Sequence, residues 1–289
     1  MNVKHVCMTL VLGAAAAVAG CQKDTTGVLA VIQPLAGLRY FDAVLDTGYM
    51  DMRLVDIVSY APNSVRARFR TGGDPGGISN GNLSPPFLPV MVGAHDIRVF
   101  LDSTDLTTAT TQMFDTTVTF AAGWNYTFIL YGSARAKTLH AMVVADTAMA
   151  LPADNSIWVR SIHLGTDTTG LGASVDVYAI PQANTPAAPP TIAASAFPAK
   201  SAYVRVPVGS LKAVLTRAGT LTAVTGGTAN FNDGVVGTTT VDRIPGALVK
   251  NTAFSVVVLP RSTNPTMPFT YANPGVFILI DQLPPSTVP

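Results

Sequence analysis

"VRSIHLGTDTTGLGASVDVYAI" (159–180) sets two short apolar runs on either side of a segment of Gly, Thr and Asp. Runs of this length, rich in Val, Ile and Tyr and bounded by turn-forming residues, are the signature of β-strands joined by a turn. The pattern recurs along the chain in "DIRVFL" (96–101), "TVTF" (117–120), "YTFILYG" (126–132) and "HAMVVAD" (140–146), then in "AYVRVPVG" (202–209), "KAVLT" (212–216), "AFSVVVLP" (253–260) and "GVFILID" (275–281). No stretch shows a long apolar face at helical spacing, so any helix is expected to be a single turn. Many short strands with turn signals between them point to a sandwich or barrel.

Composition agrees. The chain has no Glu at all, while Thr is abundant and Val common; Glu and Lys favour helices, whereas Thr and Val fit a pleated, half-buried surface. With 289 residues, 48% hydrophobic and 12% charged, the chain is long enough for two domains with real cores. The formal charge of +1 offers no basic excess to neutralise phosphates, so nucleic acid is not an expected partner.

The sequence also repeats itself. "LRYFDAVLDTGYMDMRLV" (38–55) lines up with 159–180, placing Arg39 on Arg160 and Asp51 on Asp176. "FLPVMVGAHDIRVFL" (87–101) lines up with "YVRVPVGSLKAVLT" (203–216), placing Gly93 on Gly209. "FAAGWNYTFILYG" (120–132) matches "ALVKNTAFSVVVLP" (247–260), and "HAMVVAD" matches "GVFILID". The expected architecture is all-β, with two tandem Ig-like or transthyretin-like β-sandwich domains at 38–153 and 154–289, divided near "LPADNS" (151–156).

The first twenty residues read as a signal peptide: Lys4 and His5 precede an apolar stretch from Val6 to Ala17, too short for a membrane span. Val18-Ala19-Gly20-Cys21 resembles the lipobox of bacterial lipoproteins, which implies cleavage after Gly20 and acylation of Cys21, with residues 21–37 as lipidated Cys and tether. Cys7 would leave with the signal, so no thiol would remain for a disulfide, thiolate catalysis or Cys-ligated zinc. The resemblance implies a bacterial envelope location, and Gln22 after the Cys suggests the outer membrane.

The repeated blocks carry a further resemblance. Arg160-Ser161-Ile162-His163, Asp176-Val177-Tyr178, the Tyr203 to Gly209 turn and Gly123-Trp124-Asn125-Tyr126-Thr127 resemble the bacterial family called domain of unknown function 4397, in two copies over most of 38–281. Asp42 departs from the pattern where the second copy has His163, as do Phe-Leu-Pro-Val-Met for Tyr-Val-Arg-Val-Pro and Asn251-Thr252-Ala253-Phe254 for Gly123-Trp124-Asn125-Tyr126. The family implies an envelope β-sandwich and brings no catalytic residues.

The residues themselves suggest structural roles. Gly93 and Gly209 sit where a positive φ or tight turn would demand glycine. Asp176 should point away from Val175 and Val177, to the solvated face or to a local backbone donor. Trp124 and Tyr126 are expected to pack on a sheet face with a polar tip in water, and His163 to be a paired strand histidine. "GISNG" (77–81) matches the G-x-S-x-G pattern of serine hydrolases around Ser79, but it sits among loop residues where the motif needs a strand, a sharp turn and a helix. His95, His140 and His163 lack metal-ligand spacing, so neither metal nor cofactor is expected. "GTDTTG" (165–170) lacks the Lys of a phosphate loop; "NFNDG" (230–234) and "DSTD" (102–105) read as turns rather than calcium ligands.

Two long loops, 70–86 and 181–200, fall at equivalent places and are where a ligand surface would be sought. The expected function is a non-enzymatic, lipid-anchored envelope or surface module that binds a glycan, peptidoglycan or envelope protein. The alternatives are a passive structural component and, least favoured, a serine hydrolase.

Overall fold

The structure is a computed structural model that describes residues 34–48, 50–56, 68–70, 86–101, 105–147, 154–166, 171–238, 240–261 and 275–284. Gly20, Cys21, Ser79 and nearly all of the 70–86 loop lie outside the described residues, as do 167–170 of the Gly-Thr turn.

Among the described residues, seventeen strands form four sheets. In the first half, β1 (Leu35–Val44), β4 (Leu88–Met91), β7 (Asn125–Ser133) and β8 (Thr138–Asp146) form one sheet in the order β4-β1-β7-β8. The facing sheet is β3-β2-β5-β6, from β2 (Met50–Leu54), β3 (Arg68–Arg70), β5 (Gly93–Leu101) and β6 (Gln112–Phe120). A single helical turn, α1 (Leu106–Ala109), links β5 to β6. Asp105 caps it, its carboxylate accepting from the Thr108 N–H and hydroxyl at 2.8 Å each, which fills one of the orphan donors of a helix start and holds the Asp105 pKa below the usual carboxylate range.

The second half repeats the plan. β9 (Ser156–His163), β16 (Ala253–Leu259) and β17 (Gly275–Gln282) form one sheet with β12 (Ala199–Lys200) and β13 (Val204–Pro207), the last two sharing the edge that β4 occupies in the first half. Opposite it runs β11-β10-β14-β15, made of β10 (Ser174–Pro181), β11 (Ile192–Ala196), β14 (Leu211–Arg217) and β15 (Ala223–Asn230). Consecutive strands β1 and β2 lie in different sheets, and β1 pairs with β7 in parallel, as β9 does with β16. That order is not the immunoglobulin one, in which the first two strands share a sheet; of the two expected sandwich types it leaves the transthyretin-like.

One expectation needs correction. The 181–200 segment is not one long loop: Ile192–Ala196 pairs with β10 and Ala199–Lys200 with β9. Its runs of Ala, Pro and Ser hid two edge strands, because an edge strand buries one face at most and needs little apolar side chain.

Strand alternation explains three separate cores. On β1, Leu38, Tyr40 and Val44 face the first sandwich's interior with Met50, Met52, Ile97, Val99 and Phe128. On β9 and β16, Val159, Phe254, Val256 and Val258 face the second interior with Val175, Val177 and Leu215. The opposite faces of the same strands meet each other: Phe41, Ala43, Ile129 and Tyr131 of the first half pack with Ile162, Val257, Leu259 and Leu279 of the second. Leu35–Pro289 is accordingly one compact unit.

Candidate functional site

The most elaborate polar constellation lies within this middle layer. Arg39, on β1, is 1% exposed; its Nε donates to Thr127 Oγ1 at 2.8 Å, its Nη1 to the Ile280 carbonyl at 2.5 Å, and its Nη2 to Asp281. Arg160, at the equivalent place on β9, does the same in reverse. Its Nε donates to Ser255 Oγ at 2.7 Å, and its fork grips both Asp146 oxygens at 2.7 Å each. Each half therefore supplies the arginine for the other half's aspartate, Asp146 the last residue of β8 and Asp281 the last but one of the matching strand β17. Arg160 Nη2 also lies 3.4 Å from Asp281, joining the two pairs into one neutral cluster.

Aromatic lids complete the symmetry. Phe87 covers the Arg39 guanidinium and Tyr203 that of Arg160, each with 4.4 Å from guanidinium carbon to ring centre. Tyr203 departs from its counterpart by donating its hydroxyl to Asp281 at 2.8 Å. Burial first, and then the Asp281 charge, push the Tyr203 pKa far above its ordinary value, so this hydroxyl keeps its proton. For Arg160, burial works against the charge, but Asp281 and Asp146 more than offset it and its pKa is raised. Planar bidentate pairing suits Arg over Lys here. Chemically, the arrangement is a clamp between two sheets.

The other sequence candidates are scattered. His163 is fully buried, with Nδ1 3.0 Å from the Ser195 carbonyl and Nε2 2.8 Å from that of Gly165; burial dominates and lowers its pKa. His95 stacks on Phe120 and has its two nitrogens on Asp56 (2.8 Å) and the Met91 carbonyl (2.9 Å). His140 lies beside the Tyr131 ring. The structure does not bring these three together, and no group of three His, Cys, Asp or Glu side chains suits a metal ion among the described residues.

Asp176 is neither on the solvated face nor on a local backbone donor, the two places expected of it: it is buried and accepts from the remote backbone groups Ala194 N and Gly219 N, each at 2.7 Å. Asp51, its counterpart, is buried 3.4 Å from Arg53, whose guanidinium stacks over Phe100. The Tyr126 hydroxyl accepts the Ala121 N–H at 2.9 Å, while Trp124 is exposed. Gly93 has the positive φ expected of it, +119°, whereas Gly209 has none and simply turns β13 into β14. In "NFNDG", Asn232 folds back on Gly234 N and Asp233 accepts from Ser210, the bonds of a turn.

A cavity of about 410 Å³ opens beside β6 and the β7–β8 turn, with Met113, Phe114 and Leu139 as its apolar floor and Lys137 at its rim. Sequence reading missed it, and also missed the crossed ion pairs. The signal for the latter was an arginine alternating with apolar residues in strands apolar on both faces.

The family "Domain of unknown function (DUF4397)" matches residues 76–178. The match covers about a third of the chain and, among the described strands, runs from β4 to the middle of β10, so it spans the end of one sandwich and the start of the next. No curated protein matches the chain.

Proposed function

We propose that the chain is a non-enzymatic, lipid-anchored protein of the bacterial envelope, carrying two copies of the family domain (38–153 and 154–289) and acting as a binding or adhesion module. Cleavage after Gly20 and acylation of Cys21 supply the membrane attachment, and several acyl chains suffice for stable anchoring where one would not. The observation that carries this reading is the crossed clamp. The chain's buried arginines and their aspartate partners are used to lock two sandwiches into one body, which suits a rigid display module. The partner is a glycan or an envelope protein, with nucleic acid excluded by charge, and no cofactor takes part.

The second reading, a passive structural component, draws support from the edge strands β6 and β8, each paired on one side only among the described strands. Protease shaving of intact cells, with Cys21→Ala as control and detergent phase partition for the lipid, tests both. Digestion on intact cells is expected for an adhesion module in the outer leaflet. Protection until the envelope is broken would favour the structural reading, and a wild-type chain in the aqueous phase would refute the anchor.

A further inference from the structure

The two sandwiches meet with the same ends together. Arg39 lies beside Thr127, the third residue of β7, yet reaches Asp281 beside the first residues of β16; Arg160, beside the third residue of β16, reaches Asp146 beside the first of β7. Farther along, Phe41 touches Phe277, each level with the fifth residue of its neighbouring β7 or β16. The starts of β1 and β9 therefore define one leading end of the whole molecule.

Exposed apolar side chains gather at that end. In the first sandwich, Leu35, Met91 and Trp124 are exposed there: Leu35 is in register with Met91, and its carbonyl accepts the Gly123 N–H beside Trp124. In the second, residues 231–252 replace the four-residue link 121–124 with a long excursion. Its tip bears Val235, Val236, Val241 and Ile244, all exposed, Val236 by 58%. The excursion is built rather than loose. Val235 and Ile244 form a bridge, Ala247 N donates to Asn232 O, Asn251 N donates to Ser156 O at the start of β9, and a Cβ on Gly246 would fall 2.2 Å from Gly234 N.

We infer that this leading end dips into a lipid bilayer. Monomeric proteins seldom leave so many aliphatic groups in one exposed region without a partner. Lys250 is exposed at the base of the excursion, where an ammonium can meet lipid phosphates. Trp124 suits the interfacial zone. Leu35, the first residue of β1, is itself at this end. The inference goes beyond the anchor reading, because it concerns groups of the folded unit and holds whether or not Cys21 is acylated.

The test uses a chain begun at Gln22, which retains the whole Leu35–Pro289 unit and has no cysteine of its own. An N-terminal histidine tag tethers it to phosphatidylcholine–phosphatidylglycerol vesicles containing a nickel-chelating lipid. An environment-sensitive dye is placed at Val236→Cys or, as control, at Leu221→Cys, which is 51% exposed but in the β14–β15 turn at the opposite end. The Val236 dye is expected to brighten at least three-fold with a blue shift, the Leu221 dye to stay near its value in solution, and Val241→Asp, exposed and outside the Val235–Ile244 bridge, to cut the Val236 response at least two-fold with the melting temperature unchanged. Equal responses from both dyes, no response at Val236 on a tethered chain, or concentration-dependent dimers dispersed by Val236→Asp would each overturn the inference, the last by assigning the surface to a second copy. Acylation is read separately by phase partition of the full chain, so failure of one idea leaves the other standing.

Discussion

Asp42 and His163 occupy equivalent places, three residues beyond Arg39 and Arg160, and burial disfavours the charged form of both. Burial is the main reason the Asp42 carboxyl is pushed up to about 7, with the Asp46 charge adding to it and the N–H groups of Val44 and Met50 working the other way. The folded state then holds a proton that the unfolded state releases near pH 3.8, so stability is highest below that value and falls as pH rises to 7. At about 1.4 kcal/mol per unit, the full effect is on the order of 4 kcal/mol. Asp42→Asn keeps the carbonyl that accepts Val44 N–H and removes the titration. It is expected to be more stable than wild type at pH 8 in urea unfolding, with its advantage falling by about 4 kcal/mol toward pH 4; a constant gap would refute the buried carboxyl's shift. His163 works in the other direction: its folded pKa is lowered by burial, so its contribution is complete above about 6.5 and is lost as pH falls. The clamp is the costlier residue-scale feature. Asp281→Ala would leave Arg39 without its carboxylate and Tyr203 and Ser255 without their acceptor, and breaking a buried pair from one side costs about 3–5 kcal/mol. A loss under 1 kcal/mol in the same unfolding assay would show that the pair is not dry.

Strands that bury both faces were the most legible elements. "YTFILYG" and "AFSVVVLP" read as continuous apolar runs because alternate residues face a sandwich interior and the middle layer. The edge strands β11, β12 and β15 were harder to read, since Ala, Ser, Thr and Gly suffice for a half-exposed edge. Asp176 shows why the element scale needs coordinates. Its alternation with valines places it on the opposite face, but nothing local says that its two oxygens tie down β11 through Ala194 N and the β14–β15 turn through Gly219 N. Asn offers only one acceptor oxygen in place of two. Asp176→Asn should therefore cost about 1–3 kcal/mol and speed amide exchange in β11 and the 218–221 turn before the rest of the sheet. Uniform exchange across β10 and β14 would show that the carboxylate does not pin those elements. The crossed arginine clamp escaped sequence reading for the same reason: the alignment paired Arg39 with Arg160 as repeats, while the fold pairs each with the other copy's aspartate.

At the scale of the molecule, the middle layer decides whether two sandwiches behave as one. Interfaces between domains of a chain are ordinarily polar and modest, whereas here Phe41, Ile129, Ile162, Val257 and Leu279 are almost wholly buried between the sheets, with two ion pairs beside them. Unfolding one half would expose this layer and leave Arg39 or Arg160 without its partner, so a half-folded chain gains little. Leu35–Pro289 should therefore melt in one calorimetric transition of about 180 kcal/mol at about 0.7 kcal/mol per residue near 60 °C, with calorimetric and van't Hoff enthalpies equal. Ile162→Asp places a charge in the layer while leaving the interior-facing residues of β9 in place, and should split that transition into two of roughly half the enthalpy each. Two transitions already present in the wild type would mean that the layer is only a contact. A single transition that persists in Ile162→Asp would assign the coupling to the arginine clamp rather than to the apolar layer.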